Sequence, residues 1–437
     1  MQEREHWKTR SGFILASVGA AIGLGNVWMF PWRLGAYGGA AYLAIFLFFL
    51  FTIAAVGLMV EFAFGRNQGR GTLGAIGQIF KEKNLPPAAG TALGLIPVVG
   101  VTGVFIFYSI AVGWVTRFFV LSIQGFSGID PAAVFGGMVG HPVSIIWHFI
   151  AIVITLSIVT LGVQKGIEKA NKIMLPILFV LFVMLMVRSL TLPGALDGVK
   201  FLLVPDWSLL GNSETWVMAL GQAFFTVSLG GAGMVVYGSY LSKNDDIPRS
   251  AVSIAFFDLL SGLLAAFMIF PAVFAFGMDP TAGPPLLFIT LPGIVQVMPG
   301  GHLFGVALFA GMVCAVYSSM VNLMEVPVEA LMDRFKMSRR NSVLVVALTG
   351  FLAGIPLAIN MNYFGAFADI VSVYIVPVGA VIAAVAFFWL YSSSKAREEI
   401  NKGAVKPIGA WIESYIKYVY VGVTLAVIVF SIILGGF

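Results

Sequence analysis

Gly19-Ala20-Ala21-Ile22-Gly23-Leu24-Gly25-Asn26 lies in the middle of an apolar run that extends from Phe13 to Phe30 and meets Pro31. A run of that kind predicts one membrane-spanning helix, yet three glycines and an asparagine occupy its centre. Each glycine weakens a helix by roughly 1 kcal/mol relative to alanine. In hydrocarbon every freed backbone group needs a partner, so a break at that depth is tolerated only where it lines something polar. Freed carbonyls can ligate a cation, and N–H groups at the start of a half-helix can hold an anion. Taken alone, the stretch serves equally as a seam of small residues for close helix packing. A second break elsewhere in the chain separates the two readings.

The chain of 437 residues is 59% hydrophobic and 10% charged, which excludes an ordinary soluble domain. Eleven apolar stretches are long enough to cross ~30 Å of hydrocarbon: 13–36, 40–64, 91–122, 143–163, 172–190, 215–241, 250–277, 303–332, 342–360, 364–393 and 412–434, here spans 1 to 11. The single cysteine, Cys314, excludes an intrachain disulfide. Arg4, Lys8 and Arg10 lead straight into a full-length span without a small-residue cleavage site, so no cleavable leader is expected. Twenty of the 25 basic residues fall on one side: in the N-terminus and in loops 2–3, 4–5, 6–7, 8–9 and 10–11. Charge sorted by loop reads as membrane topology and not as a nucleic-acid surface. It predicts a cytoplasmic N-terminus and an extracytoplasmic C-terminus.

Five spans after the first break, span 6 reads Phe224-Phe225-Thr226-Val227-Ser228-Leu229-Gly230-Gly231-Ala232-Gly233, again polar and glycine-rich at mid-depth. An odd number of spans in the first half inserts the second half upside down. Two interrupted helices at matching positions mark an inverted-repeat secondary transporter with its site at the bilayer midplane. The expected fold is an all-α membrane protein of eleven helices: a five-plus-five inverted repeat over 13–190 and 215–393, an extra helix at 412–434, and a cytoplasmic segment at 1–12.

These residues resemble the neurotransmitter:sodium symporter family, whose architecture is the LeuT fold. With eleven spans the chain is similar to a short bacterial branch of hydrophobic and aromatic amino acid symporters, which implies the plasma membrane of a prokaryote. The resemblance covers nearly the whole chain: Arg4-Glu5-His6-Trp7, Gly23-Leu24-Gly25-Asn26, Phe30-Pro31, Gly38-Gly39, Gln222-Ala223-Phe224-Phe225-Thr226, Ser228-Leu229-Gly230 and Ser338-Arg339. It implies two sodium sites. The first is the Ala21 carbonyl with Asn26, Thr226, Asp258 and the substrate carboxylate. The second is the carbonyls of Gly19, Ile22 and Ala315 with the hydroxyls of Ser318 and Ser319. Asp258 is deep in span 7, and an ionisable residue in a span reads as functional by default. A hydroxyl in a membrane helix more often bonds back to its own backbone, which is the plainer reading of the two serines. Chloride-dependent relatives carry neutral residues at the Asp258 position, so a fixed carboxylate there implies chloride-independent transport.

The same resemblance implies an amino acid pocket. Backbone N–H groups at Leu24 and Gly25 and the hydroxyl of Tyr108 would hold the carboxylate. The carbonyls of Ala21, Phe225 and Ser228 would hold the ammonium, with Phe225 as a lid. Amine-transporting relatives place an aspartate where this chain has Gly23, so an α-amino acid is expected over a monoamine. Gly231, where leucine-type relatives are bulky, leaves room beside Val104, Asn322 and Leu323 for a large hydrophobic or aromatic side chain. For the inner gate the resemblance implies Arg4 with Asp333, Trp7 and Tyr240. At the outer gate Met29 replaces the family arginine, and Arg33 is the candidate partner for Asp369. Gly166 and Pro176 in span 5 resemble a site of local unwinding that lets water reach the second sodium. Glu61 reads as a cap for backbone freed at the breaks, with a proton relay as the alternative. Arg117 has no assigned role, and His148 reads as structural.

No nucleophile–base pair, metal cluster or nucleotide loop stands out, so an enzyme is not expected. Two rivals remain. A proton-coupled transporter of the same fold would need a carboxylate or lysine at the second sodium site. An amino acid receptor that does not transport would keep the pocket and lose the inner gate.

Overall fold

A computed structural model describes residues 5–278 and 286–434. Among these, nine helices are long and apolar enough to cross a membrane: Ala40–Gln68, Pro87–Gln124, Val143–Thr160, Val163–Leu190, Ile247–Ala275, Gly301–Phe335, Arg339–Ala358, Met361–Asn401 and Trp411–Phe430. A tenth crossing is the bent pair Arg10–Ala21 and Gly25–Ala36, whose axes differ by 57°. The remaining expected crossing, span 6, is two pieces, Ser213–Thr226 and Gly233–Gly238, and neither is of membrane length. Both predicted breaks are therefore present at the predicted residues. Several helices overrun their apolar stretches. Span 10 continues through Lys395, Arg397 and Glu398, because charged helix formers extend a helix past hydrocarbon without cost.

Helix starts carry the expected caps. Thr9 accepts from the Gly12 N–H to begin span 1, Asp246 caps span 7 through the Arg249 N–H, and Ser338 caps span 9 through the Asn341 N–H. Loop 2–3 folds into an amphipathic helix, Thr72–Glu82, that lies along span 3. Counterparts of the two repeats pack on each other: span 3 crosses span 8, and span 4 runs against span 9. Span 5 leans on spans 7 and 8, while both broken spans are enclosed, with Phe13, Ile22, Val27, Phe224 and Val235 buried. Enclosure is what allows non-helical backbone at this depth.

Candidate functional site

In an unbroken helix the Gly23, Leu24 and Asn26 N–H groups would serve the carbonyls of Gly19, Ala20 and Ile22. Here each is diverted. Gly23 donates to Asn26 Oδ1 at 3.1 Å, Leu24 to Tyr108 Oη at 3.2 Å, and Asn26 to the Gly23 carbonyl at 3.2 Å. Three carbonyls are released from the ladder as a result. Ala20 receives the Ser228 hydroxyl at 2.7 Å and the Ser319 hydroxyl at 3.4 Å. Gly19 and Ile22 are two of the carbonyls expected at the second sodium site. Gly23 is glycine for a packing reason: an added Cβ would lie 2.6 Å from Tyr108 Oη.

The break in span 6 is held from outside. Ser228 takes a left-handed φ of 58° and Gly231 one of 73°. Glu61 Oε1 accepts from the Gly230 and Gly231 N–H groups at 3.2 and 2.8 Å, and Thr72 donates to the Gly231 carbonyl at 2.5 Å. The cap expected of Glu61 is thus formed. Gly231, expected to widen the pocket, also carries a packing constraint. A Cβ there would run into the Gly379 carbonyl and lie 3.0 Å from the Ala380 nitrogen, so the glycine is required by close contact with span 10 and by its positive φ. Asn322, expected to line the pocket, is buried, with Oδ1 2.7 Å from a Cβ built on Gly233 at the start of the second half of span 6.

Three residues from distant spans meet between the breaks. Asn26 Nδ2 donates to Asp258 Oδ1 at 2.7 Å and contacts Thr226 Oγ1 at 3.2 Å, and the Thr226 hydroxyl donates to the Asp258 carboxylate at 2.9–3.0 Å. Asn26, Thr226 and Asp258 are 1%, 2% and 0% exposed, so the carboxylate lies in a dry site where, among the described residues, its partners are an amide and a hydroxyl. Such an arrangement suits a bound cation. Ala21, Leu24 and Gly25 are buried alongside. On the other side of span 1, Ser318 and Ser319 are buried, and the Ser318 hydroxyl donates to the Ala315 carbonyl at 2.8 Å. That is the back-bonding expected of a membrane serine, and it leaves oxygen lone pairs for a cation. Val104 and Leu323 stand on spans 3 and 8, half-buried and buried respectively.

The two ends of the bundle differ. At the N-terminal end Trp7 Nε1 donates to the Tyr237 carbonyl at 3.1 Å, and its ring packs edge-on to Tyr237 and Tyr240 at 5.1 and 6.0 Å. Tyr240 donates to Glu325 at 2.7 Å, and Arg339 grips Glu325 at 2.8–3.1 Å. Sequence reasoning missed Glu325, although an acid inside an apolar span was signal enough. Asp333 packs against Gly74 and reaches Lys336 at 3.6 Å, and its expected partner Arg4 lies outside the described residues. At the other end Phe225 is 37% exposed, its ring 3.1 Å from a Cβ built on Gly25. The expected Arg33–Asp369 pair is not formed. Arg33 is fully buried and donates to Gln222 Oε1 at 2.6 Å, whereas Asp369 is exposed. Arg33 is engaged inside the bundle by Gln222 of span 6, which keeps it from the exposed Asp369. His148 bonds Ser109 at 2.9 Å inside the scaffold, as a structural histidine should.

Comparison with known proteins agrees with this geometry. The sodium:neurotransmitter symporter family model matches residues 4–127 and 137–435. An uncharacterized sodium-dependent transporter of Bacillus subtilis is 37% identical over 92% of both chains. One from Methanocaldococcus jannaschii is 32% identical over 98% of this chain and 90% of its own. The crystal structure of MhsT in complex with L-phenylalanine superposes with a TM-score of 0.86 at 34% identity, covering 98% of this chain and 99% of that one. With both helix breaks, the buried Asn26–Thr226–Asp258 cluster and this match along its length, the chain belongs to the sodium:neurotransmitter symporter family.

Proposed function

We propose that the protein imports a large hydrophobic or aromatic L-amino acid together with sodium, two ions per cycle, without chloride. The observation that carries the reading is the buried Asp258 carboxylate, joined to Asn26 and Thr226 where the two broken helices meet. A sodium ion beside Asp258 neutralises it and completes a positive surface for the substrate carboxylate, which also takes the Tyr108 hydroxyl and the N–H groups of Leu24 and Gly25. The second ion takes the carbonyls of Gly19, Ile22 and Ala315 with Ser318 and Ser319. A fixed negative charge at the first site leaves no charge deficit for chloride to fill. The relative crystallised with L-phenylalanine supports an aromatic substrate. A hydrophobic pocket separates one methylene by only ~1–3 kcal/mol, so the range is broad.

The exposed Phe225 and the packed Trp7 fit a substrate-receptive state with the cytoplasmic end shut. Substrate binding draws Phe225 over the pocket. Spans 1, 2, 6 and 7 then rock against spans 3, 4, 8 and 9, and release of Trp7, Tyr240 and Asp333 opens the inner end. Each sodium moved inward gains ~2.3 kcal/mol per 100 mV. The test is uptake of labelled phenylalanine, tyrosine, tryptophan and leucine into proteoliposomes, with and without an inward sodium gradient. Uptake that follows a proton gradient and ignores sodium, or binding with no uptake, overturns the proposal.

A further inference from the structure

Asn171 is on span 5, outside every residue assigned above to sodium. Its side chain is fully buried. Nδ2 donates to the Ile167 carbonyl at 2.9 Å, which fixes the amide orientation, since the flipped amide would set two acceptors against each other. Oδ1 then has no donor among the described residues. It points at Gly19: a Cβ added to Gly19 would run into Asn171 Oδ1 and would lie 2.9 Å from Ser318 Cβ and 3.0 Å from Leu175. Gly19 and Ser318 are two of the five residues proposed above to hold the second ion. A buried amide oxygen without a partner costs ~1–3 kcal/mol, so it calls for a missing donor or cation. The Gly19 carbonyl is an acceptor and the Ser318 hydroxyl proton already goes to Ala315, so neither group offers Oδ1 a proton. Oxygen-bearing groups on neighbouring helices with no proton to share have the chemistry of a cation site.

We infer that Asn171 Oδ1 is a further oxygen for the second sodium, reached directly or through one water, and that it ties the ion to span 5. The inference rests on the symport reading. One turn away, Glu168 accepts from the Lys8 N–H at 2.7 Å, the Thr9 hydroxyl at 2.9 Å and Lys172 at 2.6 Å. Asn171 therefore stands between the ion and the polar cluster that closes this end. The same ion then senses whether span 5 and the N-terminal segment are in place.

The test is sodium titration of tritiated L-phenylalanine binding to the purified full chain, repeated with lithium. Asn171→Leu and Asn171→Ala should raise the half-saturating sodium concentration roughly 10-fold and change the lithium-to-sodium preference, leaving phenylalanine affinity at saturating sodium unchanged. Asn171→Asp, which keeps an oxygen in place, should lower the sodium midpoint. Unchanged midpoints and ion preference in the Leu and Ala variants, or an Asp variant as weak as the Leu variant, overturn the inference. If the unmodified protein binds phenylalanine without regard to sodium, the symport reading itself falls.

Discussion

Asp258 is a single carboxylate in a span of hydrocarbon length, and its position in the sequence already marked it as a site. Its partners were legible only through the family resemblance, because Asn26 and Thr226 are 232 and 32 residues away along the chain. Asp258→Asn keeps the shape and removes the charge. The sodium concentration that half-saturates amino acid binding should rise by about 10-fold or more, as expected for the loss of a charged hydrogen-bonding group in a dry site. Tyr108→Phe removes the acceptor of the Leu24 N–H and the proposed partner of the substrate carboxylate. Amino acid affinity measured by equilibrium binding should fall by about 10-fold, with the sodium midpoint much less changed. Arg33 was misread for a physical reason. Spacing along the helix places it one turn beyond Met29, but spacing does not say that Gln222 of span 6 takes it.

The two broken helices depend on supports carried by other elements. Glu61 on span 2 satisfies two N–H groups of span 6, so Glu61→Ala leaves both buried without an acceptor. At ~1–3 kcal/mol each, the variant should unfold at clearly lower temperature by tryptophan fluorescence in detergent. Glu61→Gln retains an acceptor and should lose less. Gly231→Ala meets both a left-handed φ and the Gly379 carbonyl, and it should be destabilising by about 3 kcal/mol or more without altering substrate preference. An altered preference with a normal melting temperature would show that Gly231 acts on the pocket and not on packing. Element boundaries were read too short wherever a helix ran on beyond the apolar stretch, as in Pro87–Gln124 and Met361–Asn401.

In the bundle as a whole, Trp7 is packed on tyrosines at one end, and Phe225 is part-exposed at the other. Trp7→Ala removes an indole that bonds the Tyr237 carbonyl and packs on two tyrosines, so it should shift the population toward the state open at the N-terminal end. A cysteine introduced as Tyr237→Cys in a Cys314→Ala background should then react faster with an impermeant maleimide in inside-out vesicles. Equal rates with and without Trp7 would show that it does not plug the path. Replacement of chloride by gluconate should leave uptake unchanged, because the negative charge at the proposed first sodium site is covalently part of span 7. Collapse of uptake would show that Asp258 does not supply it.

The chain alone determined the membrane class, the two breaks, their repeat at five spans' distance and the buried acid, because hydrocarbon penalises each departure from an apolar helix strongly enough to be read residue by residue. Tertiary structure decided what depends on the direction in which side chains turn once the helices bend and cross. It placed Arg33 on Gln222, Gly231 against Gly379, Glu325 under Tyr240 and Arg339, and Asn171 beside Gly19. Such pairings join residues tens to hundreds of positions apart through packing contacts that leave no period in the sequence.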